Sequence, residues 1–276
     1  MRYYFCKCRN LCNFAKFLKV CFVNYLQKIH ELKVFTLEDF EAIAPSQRAA
    51  QELLRVYSHK GYVKKVRRNL YCAADLATGE NVASKFAIGS HIARDSYICY
   101  HSALEFHGLA HQQFFQVNVI SSSRFNEFEY DGLTYRFSPF TITGGVVTPE
   151  LNRFIRVTDL ERTVVDCIDK IVLAGGLEEL LHALSIISYL DEKKLRQYLK
   201  EYDKKVLYKK SGFLLSQFND VLKLKPSFFS LCHRKSDSVL GVLTDRQESD
   251  KYNSVWNLYV PESIESYLMQ GHYDLV

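Results

Sequence analysis

The segment from Phe35 to Ala73 constrains the fold most, because it sets two short amphipathic helices directly before two β-prone runs. Thr36 with Asp39 three residues on resembles a capping box, and Leu37, Phe40 and Ile43 then make an apolar stripe at helical spacing. Ala44-Pro45 ends this helix, since proline disfavours the helical basin for the residue before it. Ser46 caps a second helix, in which Ala50, Leu53, Leu54 and Tyr57 share one face and Gln47, Arg48, Gln51 and Arg55 lie on or near the opposite one. Gly61 suits a left-handed helix end, and Tyr62-Val63 and Leu70-Tyr71-Cys72 read as strands joined over Arg67-Arg68-Asn69.

Two helices followed by a basic ribbon is the element order of a winged helix-turn-helix, so nucleic acid is the first partner to consider. In such a module the second helix enters the major groove by its N-terminal end and the ribbon lies along the backbone. Gln47, Arg48 and Gln51 are thus expected to read bases, and Lys64, Lys65, Arg67 and Arg68, on the ribbon turn, to hold phosphates. Ser46, Arg55 and Asn69 complete the expected DNA-binding set. Four cations that all reach phosphates would add about 3 to 4 units to the salt slope of binding.

The charge distribution agrees with that division of labour. Of the formal +5, residues 1–72 hold 14 Lys and Arg against 5 Asp and Glu, a balance of +9, and residues 73–276 hold 22 against 26, a balance of −4. One part suits a polyanion and the other suits something else. At 276 residues the chain is expected to hold two domains: 1–12 an extension of uncertain character, 13–76 the winged helix, and 77–276 a mixed α/β domain, α+β overall. Its 47% apolar and 24% charged content is that of a globular chain. The basic N-terminus has Lys16 and Lys19 inside its apolar segment, and no apolar run approaches 18 residues, so no signal peptide or membrane span is expected. Eight scattered cysteines imply free thiols in a reducing cytoplasm.

Phe14, Leu18, Cys21, Phe22, Tyr25 and Ile29 predict a further helix beneath the winged-helix segment. After the ribbon, 74–81 is a polar connector and 82–92 a predicted helix. Strands follow at 97–100 and 115–120, with a short helix at 101–106 that Gly108 ends. Residues 130–140 form a hairpin partner turning at Asp131-Gly132, which starts an antiparallel sheet. A short strand is expected at 154–157, then a helix capped by Thr158 with Glu161 and buried along Leu160, Val164, Val165 and Ile168. Helices at 177–187, 191–202 and 206–218 and a strand around Trp256, Leu258 and Val260 complete the pattern.

Asn69-Leu70-Tyr71 after the basic wing, the Ser-Ala-Leu-x-x-His-Gly-Leu segment from Ser102 to Leu109, the Asp-Leu-Glu run from Asp159 to Asp166, and Gly175 to Glu179 form a series of motifs. In these motifs the sequence resembles the antitoxins of the type IV abortive-infection (AbiE) systems. Asn69 replaces the usual glycine of the wing turn, and residues 1–12 have no counterpart. The resemblance implies a transcriptional repressor of its own operon, which binds inverted repeats in double-stranded promoter DNA. It also implies that the C-terminal domain neutralises a nucleotidyltransferase-like toxin without a stable complex.

Other constellations are weaker. Cys6, Cys8, Cys12 and Cys21 match no zinc spacing, and His101, His107 and His111 lack a supporting carboxylate pattern, so no metal or cofactor is expected. Ser102 beside His101 has no elbow or oxyanion motif around it. A metal-dependent nuclease would need carboxylates and a lysine brought together, for which Glu192 with Lys194 and Asp203 with Lys205 are the candidates. Asp159, Glu161 and Asp166 read instead as a cap and exposed helix residues, and no catalytic residue is expected. Phe114, Phe125, Phe128 and Tyr130 suit a protein-interaction face or, at strand spacing, a core.

Overall fold

A computed structural model describes residues 25–236, 239–245, 250–264 and 266–267. The 1–12 extension, Cys6, Cys8, Cys12, Cys21 and the predicted helical stripe from Phe14 to Phe22 lie outside the described residues. The protein is α+β, with three sheets among the described residues, and it divides into two compact units, 1–94 and 95–276. The polar connector pointed to a boundary at 76/77. Val82 packs into the first core, so the connector and the helix after it belong to the first unit.

The first unit runs α1 (25–32), β1 (Val34–Phe35), α2 (Leu37–Glu41), α3 (Gln47–His59), β2 (Val63–Arg67), β3 (Leu70–Ala73) and α4 (Lys85–Ser90). Thr36 and Asp39 form the full capping box on α2, which satisfies two backbone donors at the helix start. The Ser46 hydroxyl accepts from Ala49 N at the start of α3, and Gly61 beyond its end has φ 74. Ile29, Phe35, Phe40, Ala50, Leu54, Tyr57, Val63 and Ala73 form the core, so the apolar stripes of three helices converge on an antiparallel sheet of order β1-β3-β2. The helix predicted over 82–92 shortens to α4, because Ser84 takes the N-cap and accepts from Ala87 N.

In the second unit, β4 (Tyr97–Ile98), β5 (Gln116–Ser121), β6 (Phe128–Tyr130), β7 (Leu133–Pro139), β8 (Val146–Val147) and β9 (Val157–Thr158) form one sheet of order β6-β7-β5-β4-β9-β8. The Asp131-Gly132 turn is present, with φ 54 and 73, the two positive values that a tight two-residue hairpin favours. It joins β6 to β7, however, and β7 then inserts between β6 and β5. β5 and β7 therefore run parallel, and the sheet is mixed where an antiparallel one was expected. The strand expected at 154–157 is instead β9 at Val157–Thr158, so Phe154 lies before it.

Helices α5 (Tyr100–Phe106), α6 (Leu160–Asp169), α7 (Leu177–Ile186), α8 (Glu192–Tyr202), α9 (Lys205–Gln217), α10 (Asn219–Leu222) and α11 (Pro226–Ser236) pack around a shared core, with a short 3-10 turn at Ile171–Ala174. A small sheet of β10 (Gly241–Val242), β11 (Lys251–Asn253) and β12 (Leu258–Val260) packs against α9. Trp256 lies in the turn before β12 and fits against Gly212 of α9, which leaves no room for a Cβ there.

The Asp-Leu-Glu run is the main tie of this unit. The N-cap of α6 is Asp159 rather than Thr158, and Asp159, Glu161 and Asp166 are all buried, against the expectation of exposed helix positions. Asp159 accepts from Arg162 N (2.9 Å), Lys194 Nζ (3.1 Å) and Tyr198 Oη (2.7 Å). Glu161 accepts from Asp191 N (2.9 Å) and Lys194 Nζ (3.2 Å), so α8 is clamped onto α6. Arg162 and Asp166, both fully buried, pair along α6 at 3.2 Å; Arg162 also donates to Tyr97, Thr141 and the Gly144 carbonyl, and Tyr202 donates to Asp166 at 2.5 Å. Each buried charge is thereby compensated, the condition for keeping it in a core.

Candidate nucleic-acid interface

Helix α3 of the first unit presents its polar residues to solvent. Ser46, Gln47, Arg48, Gln51 and Arg55 are all exposed, while Ala50, Leu54 and Tyr57 are buried. Gln47, Arg48 and Gln51 stand on the first turns of α3, where unpaired backbone N–H groups also face outward. Arg55 is engaged: it makes a two-pronged pair with Glu52 at 2.7 and 3.2 Å. That pairing holds the Glu52 carboxyl below the usual carboxylate range and raises the Arg55 guanidinium. Glu52 is an acidic residue in the middle of the expected reading face that the sequence reasoning did not weigh, although its spacing of three from Arg55 was visible.

The basic ribbon differs in detail from its sequence reading. Lys64, Lys65 and Arg67 lie within β2 rather than on the turn, which is the two residues Arg68 and Asn69. An irregularity in pairing between Lys65 and Arg67 lets Val63 and Val66 both face the core, three apart, where regular alternation would send one of them out. Lys65 and Arg68 are exposed, and Lys64 and Arg67 half-buried. The four cations therefore do not form one uniform set.

Asn69 has a local job. It has φ 61, a left-handed conformation that asparagine tolerates better than most residues. Its Oδ1 accepts from Leu37 N (3.1 Å) and its Nδ2 donates to Glu38 (2.7 Å), which pins the ribbon turn to the start of α2. The Asn69 carboxamide is the main cause that keeps the Glu38 carboxyl below its ordinary range. Asn69 is thus a structural link, whose side chain is spent inside the unit.

The chain shares its fold with a solved structure. The RV2827C protein from Mycobacterium tuberculosis superposes with a TM-score of 0.59 at 13% identity, covering 89% of this chain and 92% of that one. At that identity the likeness is one of fold. No family model and no curated protein matches the sequence.

The other sequence candidates are dispersed among structural roles. His101 Nε2 meets Glu179 at 3.1 Å, and Glu179 also accepts from His111 N and Gln112 N, which fixes α5 to α7. His107 Nε2 meets the Thr158 carbonyl at 2.8 Å, and Ser102 accepts from Asn118 N at 2.9 Å. Glu192 pairs with Arg196, apart from Lys194, and Lys204 pairs with Asp169. Phe125 is buried against Phe128 and Phe137, and Phe128 stacks on Tyr135 at 5.1 Å, so this aromatic group is core. No group of three or more His, Cys, Asp or Glu suited to a metal is found among the described residues, and no helix of theirs is long and apolar enough to cross a membrane.

Proposed function

We propose that this protein is a DNA-binding antitoxin of the abortive-infection type, whose first unit is a winged helix-turn-helix that represses its own operon in the cytoplasm. The observation that carries the reading is the union, in one unit, of the exposed Gln47, Arg48 and Gln51 on the first turns of a capped helix with the cationic ribbon β2–β3. Gln47, Arg48 and Gln51 read base edges; Lys65 and Arg68, with Lys64 and Arg67 beside them, take phosphates. The partner is double-stranded promoter DNA with inverted repeats, which suit two copies per site.

The second unit, on this reading, counteracts a nucleotidyltransferase-like toxin without catalysis of its own. Its buried carboxylates Asp159, Glu161 and Asp166 are engaged by Lys194, Tyr198, Arg162 and Tyr202, which favours a structural role over metal-dependent cleavage. A mobility shift on the protein's own promoter tests the DNA half. Retention should weaken steeply with salt, and Arg67→Ala with Arg68→Ala should lower the salt slope by roughly 2 units while weakening all sequences alike. Unchanged affinity would remove the ribbon from the interface, and metal-dependent strand cleavage would favour a nuclease. Growth rescue on co-expression with a neighbouring nucleotidyltransferase tests the antitoxin half.

A further inference from the structure

The Gly175-Gly176 pair opens a feature that DNA recognition leaves unexplained. A cleft of 560 Å³ lies within the second unit, lined by Phe114, Gln116, Asn118, Lys170, Gly176 and Lys210 among others. That volume is in the range of small-ligand sites. We propose that it binds a nucleoside phosphate, with Lys170, Lys210 and the opening amides of α7 taking the phosphate and Phe114 and the Gln116–Asn118 pair meeting the base.

The cationic side is built from Lys170 and Lys210, on a wall that Asp169 and Asp245 also line. Lys210 is half-buried, and burial, with Lys170 and Lys204 nearby, pushes its ammonium below the usual range. Asp169, the carboxylate that acts on Lys210, is already held by Lys204 at 2.6 Å. Neither Lys170 nor Lys210 has an ion pair among the described residues. They occur in a part of the chain, 73–276, whose net charge is −4, so a general basic surface does not explain them. An anion placed between them would relieve their mutual repulsion.

Helix α7 adds donors. Its N-cap is Gly176, with no side-chain cap and φ 103, and a Cβ there would meet nothing within 4 Å, so the approach to the helix start is open. Gly176 N donates to the Ile171 carbonyl at 3.0 Å, which brings the start of α7 against the residue that follows Lys170. Glu178 and Glu179 occupy the first turn, Glu179 engaged by His101, His111 N and Gln112 N, and the uncapped amides at such a start suit a phosphate.

The other side has the complement of a base. Gln116 donates to Asn118 Oδ1 at 2.9 Å, and Asn118 is only 2% exposed, yet its Nδ2 has no partner among the described residues. Asn118 lines the cleft, so this amide donor is available to an acceptor on a ligand. Phe114 stands edge-on to His101 at 4.3 Å, with Phe115 and Val172 highly exposed beside lining residues of the cleft.

Calorimetric titration of the full chain with AMP, ATP and inorganic phosphate tests the assignment. Saturable one-to-one binding of AMP or ATP is expected, and Lys170→Ala with Lys210→Ala should weaken it by roughly tenfold or more, the loss of a charge-assisted bond. Lys170→Glu, a reversal at an exposed position, gives the same readout without disturbing the fold. Absence of binding, binding unchanged in Lys170→Glu, or inorganic phosphate binding as tightly as AMP would each overturn the proposal. Retardation of promoter DNA should be the same in Lys170→Glu and the unmodified chain, which separates this site from the DNA-binding reading.

Discussion

Asn69 shows how one side chain can serve a turn and a helix at once. Its left-handed backbone and its bonds to Leu37 N and Glu38 act together, so Asn69→Ala should cost roughly 1–2 kcal/mol in backbone strain alone, before the lost bonds. Asn69→Gly removes the strain and keeps only the loss of bonds; chemical denaturation should therefore rank glycine above alanine in stability. Arg48 belongs to the same scale. It is exposed near the start of α3, and its replacement by alanine should relax base preference with a loss on the order of 1 to 3 kcal/mol at the preferred site. Equal losses on specific and random DNA, measured side by side, would remove Arg48 from base reading.

Among the elements, α6 carries most of the consequence. It is clamped to α8 through Lys194 and Tyr198, and its own Arg162–Asp166 pair is fully enclosed. Breaking a buried pair from one side leaves the other charge uncompensated, so Asp166→Asn should destabilise the protein by about 3–5 kcal/mol. Replacing Arg162 with Met and Asp166 with Leu together should cost much less than the sum of the single changes, as a double-mutant cycle would read out. Equal and additive losses would show that the two charges do not depend on each other.

For the whole molecule, the division at Arg94/Asp95 makes a separable prediction. A fragment of residues 1–94 should retard promoter DNA with the salt slope of the full chain, and residues 95–276 should leave it unretarded. A fragment 1–76 should be less stable than 1–94, because Val82 and α4 belong to the first unit. Thermal unfolding of the two fragments, side by side, measures that difference.

Much of the first unit was legible in the sequence, because its signals are local: the Thr36–Asp39 box, the Ser46 cap, the apolar stripe through Tyr57 and the glycine at 61 each depend on neighbours a few residues away. The chain also determined by itself the Asp131-Gly132 turn and most helices of the second unit, for the same reason. Tertiary structure alone decided that β7 lies between β6 and β5, since a turn fixes only the two strands that it joins. It alone buried Asp159, Glu161 and Asp166, whose partners Lys194, Tyr198 and Tyr202 come from α8. It also gathered Lys170, Lys210 and Asn118 around one cleft. Periodicity reports which face of an element is apolar; which charge will meet a charge from another element depends on packing between distant segments.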